Sequence, residues 1–218
     1  MRTLAWRTGL ATMLLVAGLG AGTQTALADT PAGVADLGSA DFTKAGTTIT
    51  VPTLAPCGVD SAASASSSAV RKTGLTFGGG STSCVTTVVN PETEETTTKS
   101  QATGTDFELS ALVSAGGPRI RLHSYQVTCT ATQTGTNASW TFAGLSGISG
   151  LPSPVPTNYT KAITKPNNGP VLANAVFNIL QLPGDGSISM TMLRITFAPA
   201  SGITGSVTLG NAACSPTP

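Results

Sequence analysis

Charged side chains are scarce in this sequence of 218 residues, since Asp, Glu, Lys and Arg together make up 10% of it. The 11 basic and 10 acidic residues nearly balance, so the chain lacks the basic excess with which proteins bind nucleic acids. It also lacks a cluster of lysines and arginines that would draw it to an anionic lipid surface. We therefore expect no nucleic-acid partner and no electrostatic binding to membranes.

Residues that commonly carry chemistry are also few. The chain has a single histidine, His123, and contains neither a G-x-S-x-G nor a C-x-x-C motif. The first motif is typical of α/β-hydrolases, and the second of zinc sites and thioredoxin-like redox centres. We therefore predict a protein that is not an enzyme and that has no catalytic residues, no metal and no cofactor.

Long apolar runs are absent beyond the N terminus. There, Arg2 and Arg7 precede an apolar stretch at residues 10–22, which is too short to span a bilayer comfortably. The small-x-small sequence Ala26-Leu27-Ala28 follows it, as at a signal-peptidase site. This order predicts a helical signal peptide over residues 1–28, and a retained membrane anchor is the alternative.

The mature chain would comprise residues 29–218, a length that one domain accommodates. Without Arg2 and Arg7 it carries nine basic and ten acidic residues, a net charge of −1. We predict a single domain with no transmembrane segment, secreted and either extracellular or loosely associated with the cell surface.

Cysteine usage agrees with export. The mature chain has four cysteines, at Cys57, Cys84, Cys129 and Cys214, and an even number in an exported protein indicates disulfides. Three connectivities are open, of which we predict Cys57–Cys84 and Cys129–Cys214. By the chain-entropy estimate each bridge would add about 3–4.5 kcal/mol to stability.

What the sequence does contain favours β-structure. Gly, Thr, Ser, Ala and Val dominate, and no stretch beyond the signal peptide keeps a helical spacing of apolar residues. Short strands separated by Gly, Pro and Asn turns are typical of sandwiches and barrels. We predict an all-β protein, a single antiparallel β-sandwich of jelly-roll or immunoglobulin-like type with long loops. The predicted strands are residues 47–51, 69–77, 84–89, 106–113, 120–132, 138–143, 176–182, 187–197 and 203–212.

Two predicted strands change their buried face partway. In the strand 187–197 the apolar alternation slips by one residue at Met192-Leu193, which indicates either a β-bulge or a strand covered on both faces. In the strand 120–132 the buried face switches at His123-Ser124, so we expect a half-exposed histidine beside a bulge. Between the strands 176–182 and 187–197, Asp185-Gly186 predicts a type I′ hairpin turn.

Two long connections are predicted contact regions. Residues 90–105 contain no large apolar side chain and predict a mobile hairpin tip, and their glutamates indicate a solvated acidic loop rather than a calcium cage. Residues 144–170 combine the proline-rich stretch GLSGISGLPSPVP with the turn KPNNGP. A connection of that length usually carries either structure or function.

The candidate ligand-binding residues are aromatic. Trp140 and Phe142 share one strand face, and Tyr159 follows in the long connection. Exposed aromatic side chains could stack on sugar rings or on a partner, although a core with nine aromatic residues to draw on has use for most of them. We hold both interpretations open.

Two carboxylates and the histidine are candidates for catalysis. Asp106 and Glu108 are two positions apart on one strand, about 7 Å between Cβ atoms, a separation also found between glycosidase carboxylates. An outward strand face places two acids equally far apart. His123 would need a nucleophile on one side and an orienting acid on the other. We take the solvated surface as the interpretation for all three.

The last part of the chain resembles the secreted actinobacterial proteins called choice-of-anchor P. In that family an apolar strand with an Asn precedes a Gly/Asp turn, then a strand with a short apolar motif and a last strand that ends in Gly, a small pair and Cys. The resemblance extends from Phe107 onward and implies an exported β-rich module without an established enzymatic role. The corresponding residues are Val176-Phe177-Asn178, Gly184-Asp185-Gly186, 190–195 and Leu209-Gly210-Asn211-Ala212-Ala213-Cys214.

The chain departs from the family at one position. Where the penultimate strand of the family tends to read Asn-Ala-Leu/Ile-His, this chain has Thr191-Met192-Leu193-Arg194. Any role tied to that histidine therefore has no counterpart here.

The function that these patterns predict is a non-catalytic secreted or cell-surface β-domain that acts through surface contacts, in envelope association, adhesion or assembly. A carbohydrate- or small-ligand-binding module is the alternative, and a hydrolase is a third. The expected partner is a cell-envelope component or a glycan, and the patterns leave the oligomeric state open.

Overall fold

The computed structural model describes residues 32–216, which form 14 strands in two sheets that pack face to face. Neighbouring strands are antiparallel, which confirms the predicted all-β fold and the antiparallel β-sandwich. The predicted signal peptide, residues 1–28, lies outside the described residues. Within the described range, no helix is long and apolar enough to cross a membrane.

The first sheet joins the two ends of the described chain. Its seven strands are β1 (Gly33–Lys44), β2 (Thr47–Leu54), β3 (Cys57–Gly58), β11 (Tyr159–Thr164), β12 (Val171–Gln181), β13 (Ile188–Phe197) and β14 (Ile203–Cys214). They follow the order β11-β12-β13-β14-β1-β2, and β3 also pairs with β1. The β1–β14 pairing therefore holds the N-terminal hairpin against the C-terminal meander.

The second sheet is built around one long strand. Its members are β4 (Ser64–Ser67), β5 (Val70–Lys72), β6 (Leu75–Phe77), β7 (Gly80–Asn90), β8 (Glu95–Leu109), β9 (Ile120–Thr132) and β10 (Gly135–Ala143). They follow the order β10-β9-β8-β6-β5, while β7 pairs with another stretch of β8 and with β4. One edge of β8 thus pairs with β9, and β7 and β6 divide the other edge between them.

Apolar side chains from the facing sides of the two sheets form one core. Aromatic pairs lie within it: the ring centroids of Phe42 and Phe197 are 5.2 Å apart, and those of Phe77 and Phe107 are 5.5 Å apart. Such tilted and edge-to-face pairs add stability beyond the area they bury. Six of the nine aromatic residues outside the predicted signal peptide are fully buried here (Phe42, Phe77, Phe107, Tyr125, Phe177 and Phe197).

Both predicted disulfides are present, and both connect one sheet to the other. Cys57 of β3 is bonded to Cys84 of β7, and Cys129 of β9 is bonded to Cys214 of β14. The Cα–Cα distances are 5.7 and 5.8 Å, shorter than the ~10 Å that separates facing sheets, so each bridge lies where the sheets converge. The bridges therefore brace the sandwich across its core.

The predicted slip at Met192-Leu193 is confirmed, and it is not confined to one strand. Met192 and Leu193 are both buried, because β13 directs even-numbered residues inward before this point and odd-numbered residues after it. The pairing with β12 keeps one register through the slip, since Ile179↔Thr191 and Phe177↔Leu193 flank it. Neighbouring strands must therefore change face at the same level.

Residues at that level form what we call the face-switch row. By the registers, Met192 lies opposite Asn178 of β12 and Gly210 of β14, and Gly210 lies opposite Leu37 of β1. Asn178 (φ 53°) and Gly210 (φ 61°) have left-handed backbones, as does Gly38 (φ 124°) directly after Leu37. Glycine and asparagine are the residues that tolerate this conformation best, so they occupy a row that turns several strands over together.

The second sheet has a matching row. Asp106 of β8 (φ 47°) lies at the level of His123 of β9, and Gly144 (φ 68°), just beyond β10, lies next to His123. The buried residues of β9 change from even to odd numbers between His123 and Ser124, as predicted. The His123 side chain is 74% exposed, more than the half-exposed position predicted.

A hydrogen bond across the core reaches the face-switch row of the first sheet. The buried Tyr125 hydroxyl donates to the Leu37 carbonyl at 2.7 Å. Burial, with a smaller contribution from the negative charge of Asp36, raises the pKa of the Tyr125 phenol. A buried carbonyl near the row thus receives its hydrogen bond from a side chain of the opposite sheet.

The prediction of a mobile loop over residues 90–105 is wrong. The turn comprises only residues 91–94, and residues 95–105 belong to β8, where Thr98, Ser100 and Ala102 are buried. Small side chains fill the narrow space here, so this inner face shows no large apolar residue in the sequence. The region is a paired strand and not a mobile contact loop.

Other boundaries also differ from the predictions. β1 and β11 were not predicted, β4 lies in a stretch with no predicted strand, and the predicted strand 106–113 ends at Leu109, before a 3₁₀ helix at Ala111–Ala115. The turn before β13 is not type I′, because Asp185 does not have a positive φ. Its carboxylate instead accepts the Ser187 N–H at 2.8 Å and the Ser187 hydroxyl, and these hydrogen bonds lower the pKa of Asp185.

Candidate functional site

One side of the sandwich is closed by an irregular segment, residues 144–158, which we call the crossing segment. It runs from β10 at the edge of the second sheet to β11 at the edge of the first. Ser146 exchanges two backbone hydrogen bonds with Arg121 of β9, at 3.1 and 2.9 Å. Its apolar side chains pack against the core (Leu145, Ile148, Leu151 and Val155).

Two asparagines, Asn178 of β12 and Asn158 at the end of the crossing segment, hold the far end of this segment against the first sheet. The Asn178 side-chain amide donates to the Val155 carbonyl at 3.3 Å, and the Asn178 carbonyl accepts the Asn158 N–H at 2.8 Å. The Asn158 side chain in turn accepts the Leu180 N–H at 3.2 Å. The same asparagine that turns β12 over in the face-switch row therefore also positions the segment above it.

An open groove lies between β10 and the crossing segment, and we call it the aromatic groove. Trp140 and Phe142 lie side by side on the inward face of β10, both half-buried. Their ring centroids are 5.4 Å apart and their planes differ by 13°, so the rings are stacked. The volume of the groove is about 550 Å³, and its lining comprises Trp140, Thr141, Phe142, Leu151, Pro152, Ser153, Pro154 and Val155.

The aromatic pair packs against a buried side chain of the core. The ring of buried Phe177 on β12 lies 6.5 Å from that of Trp140, with 29° between the planes. Tyr159 of β11 lies opposite Phe177 in register, is half-buried, and does not line the groove. Of the three predicted ligand-binding residues, two therefore meet in one site and Tyr159 lies beside it.

A second groove, which we call the edge groove, is lined by an earlier stretch of the crossing segment. Its volume is about 500 Å³. One wall is β11 and the other is the part of the crossing segment that follows Ser146. The lining comprises Gly117, Pro118, Gly147, Ile148, Ser149, Lys161, Ala162, Ile163, Thr164 and Pro166.

The predicted catalytic candidates lie on the outer face of the second sheet. The Glu108 carboxylate accepts hydrogen bonds from Arg121 Nε at 2.9 Å and from Arg119, and these contacts hold the pKa of Glu108 below its ordinary value. A general acid for glycoside hydrolysis needs a raised pKa. The environment of Glu108 therefore favours an ion-paired surface carboxylate.

The histidine has a carboxylate partner, and with Asp106 and Glu108 it lines an open pocket of about 340 Å³ on this outer face. His123 Nδ1 is 3.0 Å from Asp106 Oδ1, and the two side chains are 74% and 67% exposed. Water screens a pair of this kind, and exposed pairs contribute little. Among residues 32–216, the hydrogen bonds of the His123 side chain include no hydroxyl that could serve as a nucleophile.

One further polar cluster lies on the outer face of the first sheet. Asn211 donates to Asp36 Oδ1 at 2.7 Å and accepts the Thr191 hydroxyl at 2.6 Å. Burial raises the pKa of Asp36, although the hydrogen bonds from Asn211 and from the Gly38 backbone act in the opposite direction. A small cavity of about 210 Å³ adjoins these residues.

The sequence predicted the aromatic pair but missed the rest of its groove. The stretch GLSGISGLPSPVP was interpreted as turns, whereas Leu151, Pro152 and Val155 form a wall of the groove. Apolar residues between prolines in a long connection were the available indication. Within residues 32–216, no three His, Cys, Asp or Glu side chains converge to hold a metal ion.

Comparison with known protein families, curated proteins and solved structures found no match for this chain.

Proposed function

We propose that this protein is a non-catalytic, secreted or cell-surface β-domain that acts through surface contacts, and that the aromatic groove is its binding site. The observation that carries the proposal is the stacked pair of Trp140 and Phe142, which is half-buried at the side of an open groove. Six of the other seven aromatic residues outside the predicted signal peptide are buried in the core, and the seventh, the half-buried Tyr159, does not line the groove.

The lining of the groove indicates the class of ligand. The stacked rings of Trp140 and Phe142 form an aromatic wall of the groove, and the hydroxyls of Thr141 and Ser153 are polar groups of its lining. Ligand sites commonly combine an apolar lining with a few polar groups that set orientation. The C–H face of a sugar ring fits this combination, so a cell-envelope glycan is the proposed partner.

The setting supports a role outside the cell. Two disulfides are compatible with an oxidising, extracellular environment, and they brace the scaffold on which the groove is built. The resemblance to the choice-of-anchor P family, which implies an exported module without an established enzymatic role, points the same way. The exposed His123 and the ion-paired Glu108 support contact rather than catalysis as the function.

A binding experiment with matched variants tests the proposal. The mature protein is sedimented with insoluble cell-wall fractions and purified polysaccharides, together with Phe142→Ala and Val88→Ala. We expect Phe142→Ala to bind about 30-fold more weakly, since truncation of an aromatic anchor costs about 2 kcal/mol. Val88 is an exposed apolar residue of β7, away from the groove, and its loss should change nothing. Equal binding by both variants would contradict the proposal.

A further inference from the structure

The outer edge of β11 carries backbone groups that β12 does not use. β11 is the end strand of the first sheet. The Lys165 N–H donates to the Pro170 carbonyl at 3.0 Å, and on the other side of β12 the Ala198 N–H donates to the Leu172 carbonyl at 2.9 Å. With the register Lys161↔Ala175, this alternation points the backbone groups of odd-numbered residues of β11 to β12. The N–H and C=O groups of Thr160 and Ala162 therefore point away from the sheet. This edge can pair with another strand.

The edge groove runs along this strand edge. Its volume of about 500 Å³ is bounded by residues 161–164 of β11 and by residues 147–149 of the crossing segment. The crossing segment forms the opposite wall and is held in place, because the N–H and the C=O of Ser146 both hydrogen-bond to Arg121 of β9. The Ile148 side chain is also buried. A strand added to a sheet lies 4.7–4.9 Å from its neighbour, so the groove is where an added strand would lie.

The charged side chains at the edge groove are positive. Lys161 is the one charged residue of its lining, and Lys165, four positions later, extends along Gly116. Within residues 32–216, neither lysine takes part in an ion pair, whereas Arg119 and Arg121 both pair with Glu108. A lysine on an edge strand opposes pairing with a neutral or basic strand, because its charge would be left unpaired or repelled. An acidic strand would instead neutralise that charge.

We propose that the edge groove binds an extended acidic segment of a partner protein, which adds to the first sheet as a strand beside β11. Its backbone pairs with the N–H and C=O groups of Ala162, and its carboxylates meet the ammonium groups of Lys161 and Lys165. Backbone pairing supplies affinity, and the lysines supply selectivity for acidic sequences. This site is separate from the aromatic groove and does not depend on glycan binding there.

The probe for the test is a fluorescein-labelled octapeptide in which glutamate alternates with valine, and its fluorescence anisotropy is followed as protein is added. We expect saturable binding, and weak or no binding of the same peptide with lysine in place of glutamate. Lys161→Gln removes the charge and keeps the N–H, so we expect about two- to fivefold weaker binding, as for an exposed ion pair. No anisotropy change up to about 1 mM protein would overturn the proposal.

Two further variants separate backbone pairing from charge. Ala162→Pro removes an N–H that points away from the sheet, so the fold should survive and binding should fall at least about tenfold, further than for Lys161→Gln. Ser149→Tyr fills the groove from the opposite wall and should also abolish binding. Circular dichroism and thermal unfolding confirm that each variant is folded. A folded Ala162→Pro or Ser149→Tyr variant that binds like the parent would overturn the proposal, and Phe142→Ala should bind this peptide normally.

Discussion

Single polar residues decide how the two sheets meet. The Tyr125 hydroxyl crosses the core to the Leu37 carbonyl, which lies in a row where the strands turn over. Asp36, directly before Leu37, is held half-buried by Asn211. Both residues tie a particular atom of one strand to a particular partner, so each gives a sharp test of the structure.

We predict that Tyr125→Phe lowers the free energy of unfolding by about 1–2 kcal/mol, because the buried Leu37 carbonyl loses its donor. Urea denaturation followed by circular dichroism measures the change. Tyr159→Phe, at the half-buried sheet edge, is the matched control and should cost less. Equal effects of the two substitutions would show that the Tyr125 hydroxyl contributes nothing specific.

We predict that the stability of the fold depends on pH through the Asp36 carboxyl. Burial raises its pKa in the folded state, so its contribution to stability is fully present below the unfolded pKa of about 3.9 and is lost as the pH rises. Asp36→Asn keeps an oxygen that accepts from Asn211 but carries no charge. We expect the Tm of the variant to exceed that of the parent at pH 7, with the difference shrinking toward pH 3. A difference that does not vary with pH would contradict this assignment.

At the scale of strands, the face-switch row explains which elements could be predicted. The predicted strand 120–132 coincides with β9 because its apolar alternation is strong on both sides of the slip. β1 was missed because its buried residues Ala35 and Leu37 are followed by Ala40 and Phe42, out of phase, with Gly38 between them. A single-period pattern cannot represent a strand that turns over.

The remaining misses have a different cause. Before Asp106, the inner face of β8 consists of small residues such as Thr98, Ser100 and Ala102, whose burial depends on close approach of the opposite sheet and not on their own hydrophobicity. The grooves depend on how the crossing segment packs across two sheet edges, which local sequence does not encode. The aromatic pair was predictable because residues two apart on a strand share a face whatever the tertiary context.

A glycine of the face-switch row tests the account of that element. A Cβ on Gly210 would lie 2.8 Å from Val127 Cγ2 and 3.2 Å from the Tyr125 ring, whereas one on Gly202 would meet nothing within 4 Å. The two glycines have nearly equal φ, 61° and 66°. We therefore expect Gly210→Ala to cost about 1–3 kcal/mol more than Gly202→Ala, through overpacking of the core. Equal Tm values for the two variants would contradict it.

At the scale of the whole molecule, the two disulfides make the sandwich a rigid support for its side grooves. They span 27 and 85 residues, and a longer loop loses more entropy when it is closed in the unfolded chain. Replacing Cys129 and Cys214 by alanine should therefore cost about 1 kcal/mol more than replacing Cys57 and Cys84. Guanidinium denaturation of the two double variants measures this difference, and the reverse order would contradict the entropic explanation.

The whole molecule also separates its two proposed contacts. The aromatic groove and the edge groove are lined by different stretches of one crossing segment, so this segment would contribute to the binding of both the glycan and the protein strand. That arrangement suits a domain that joins an envelope component to a partner protein. It requires no residue to act as an acid, a base or a nucleophile.

The most direct measurement of the central claim is the fluorescence of Trp140, the one tryptophan in residues 29–218. The mature protein is titrated with soluble cell-wall oligosaccharides while its emission is recorded. Because the indole is half-buried beside an open groove, the account predicts a saturable blue shift that Phe142→Ala weakens and Val88→Ala leaves unchanged. Emission that does not respond to any oligosaccharide of the panel would contradict it.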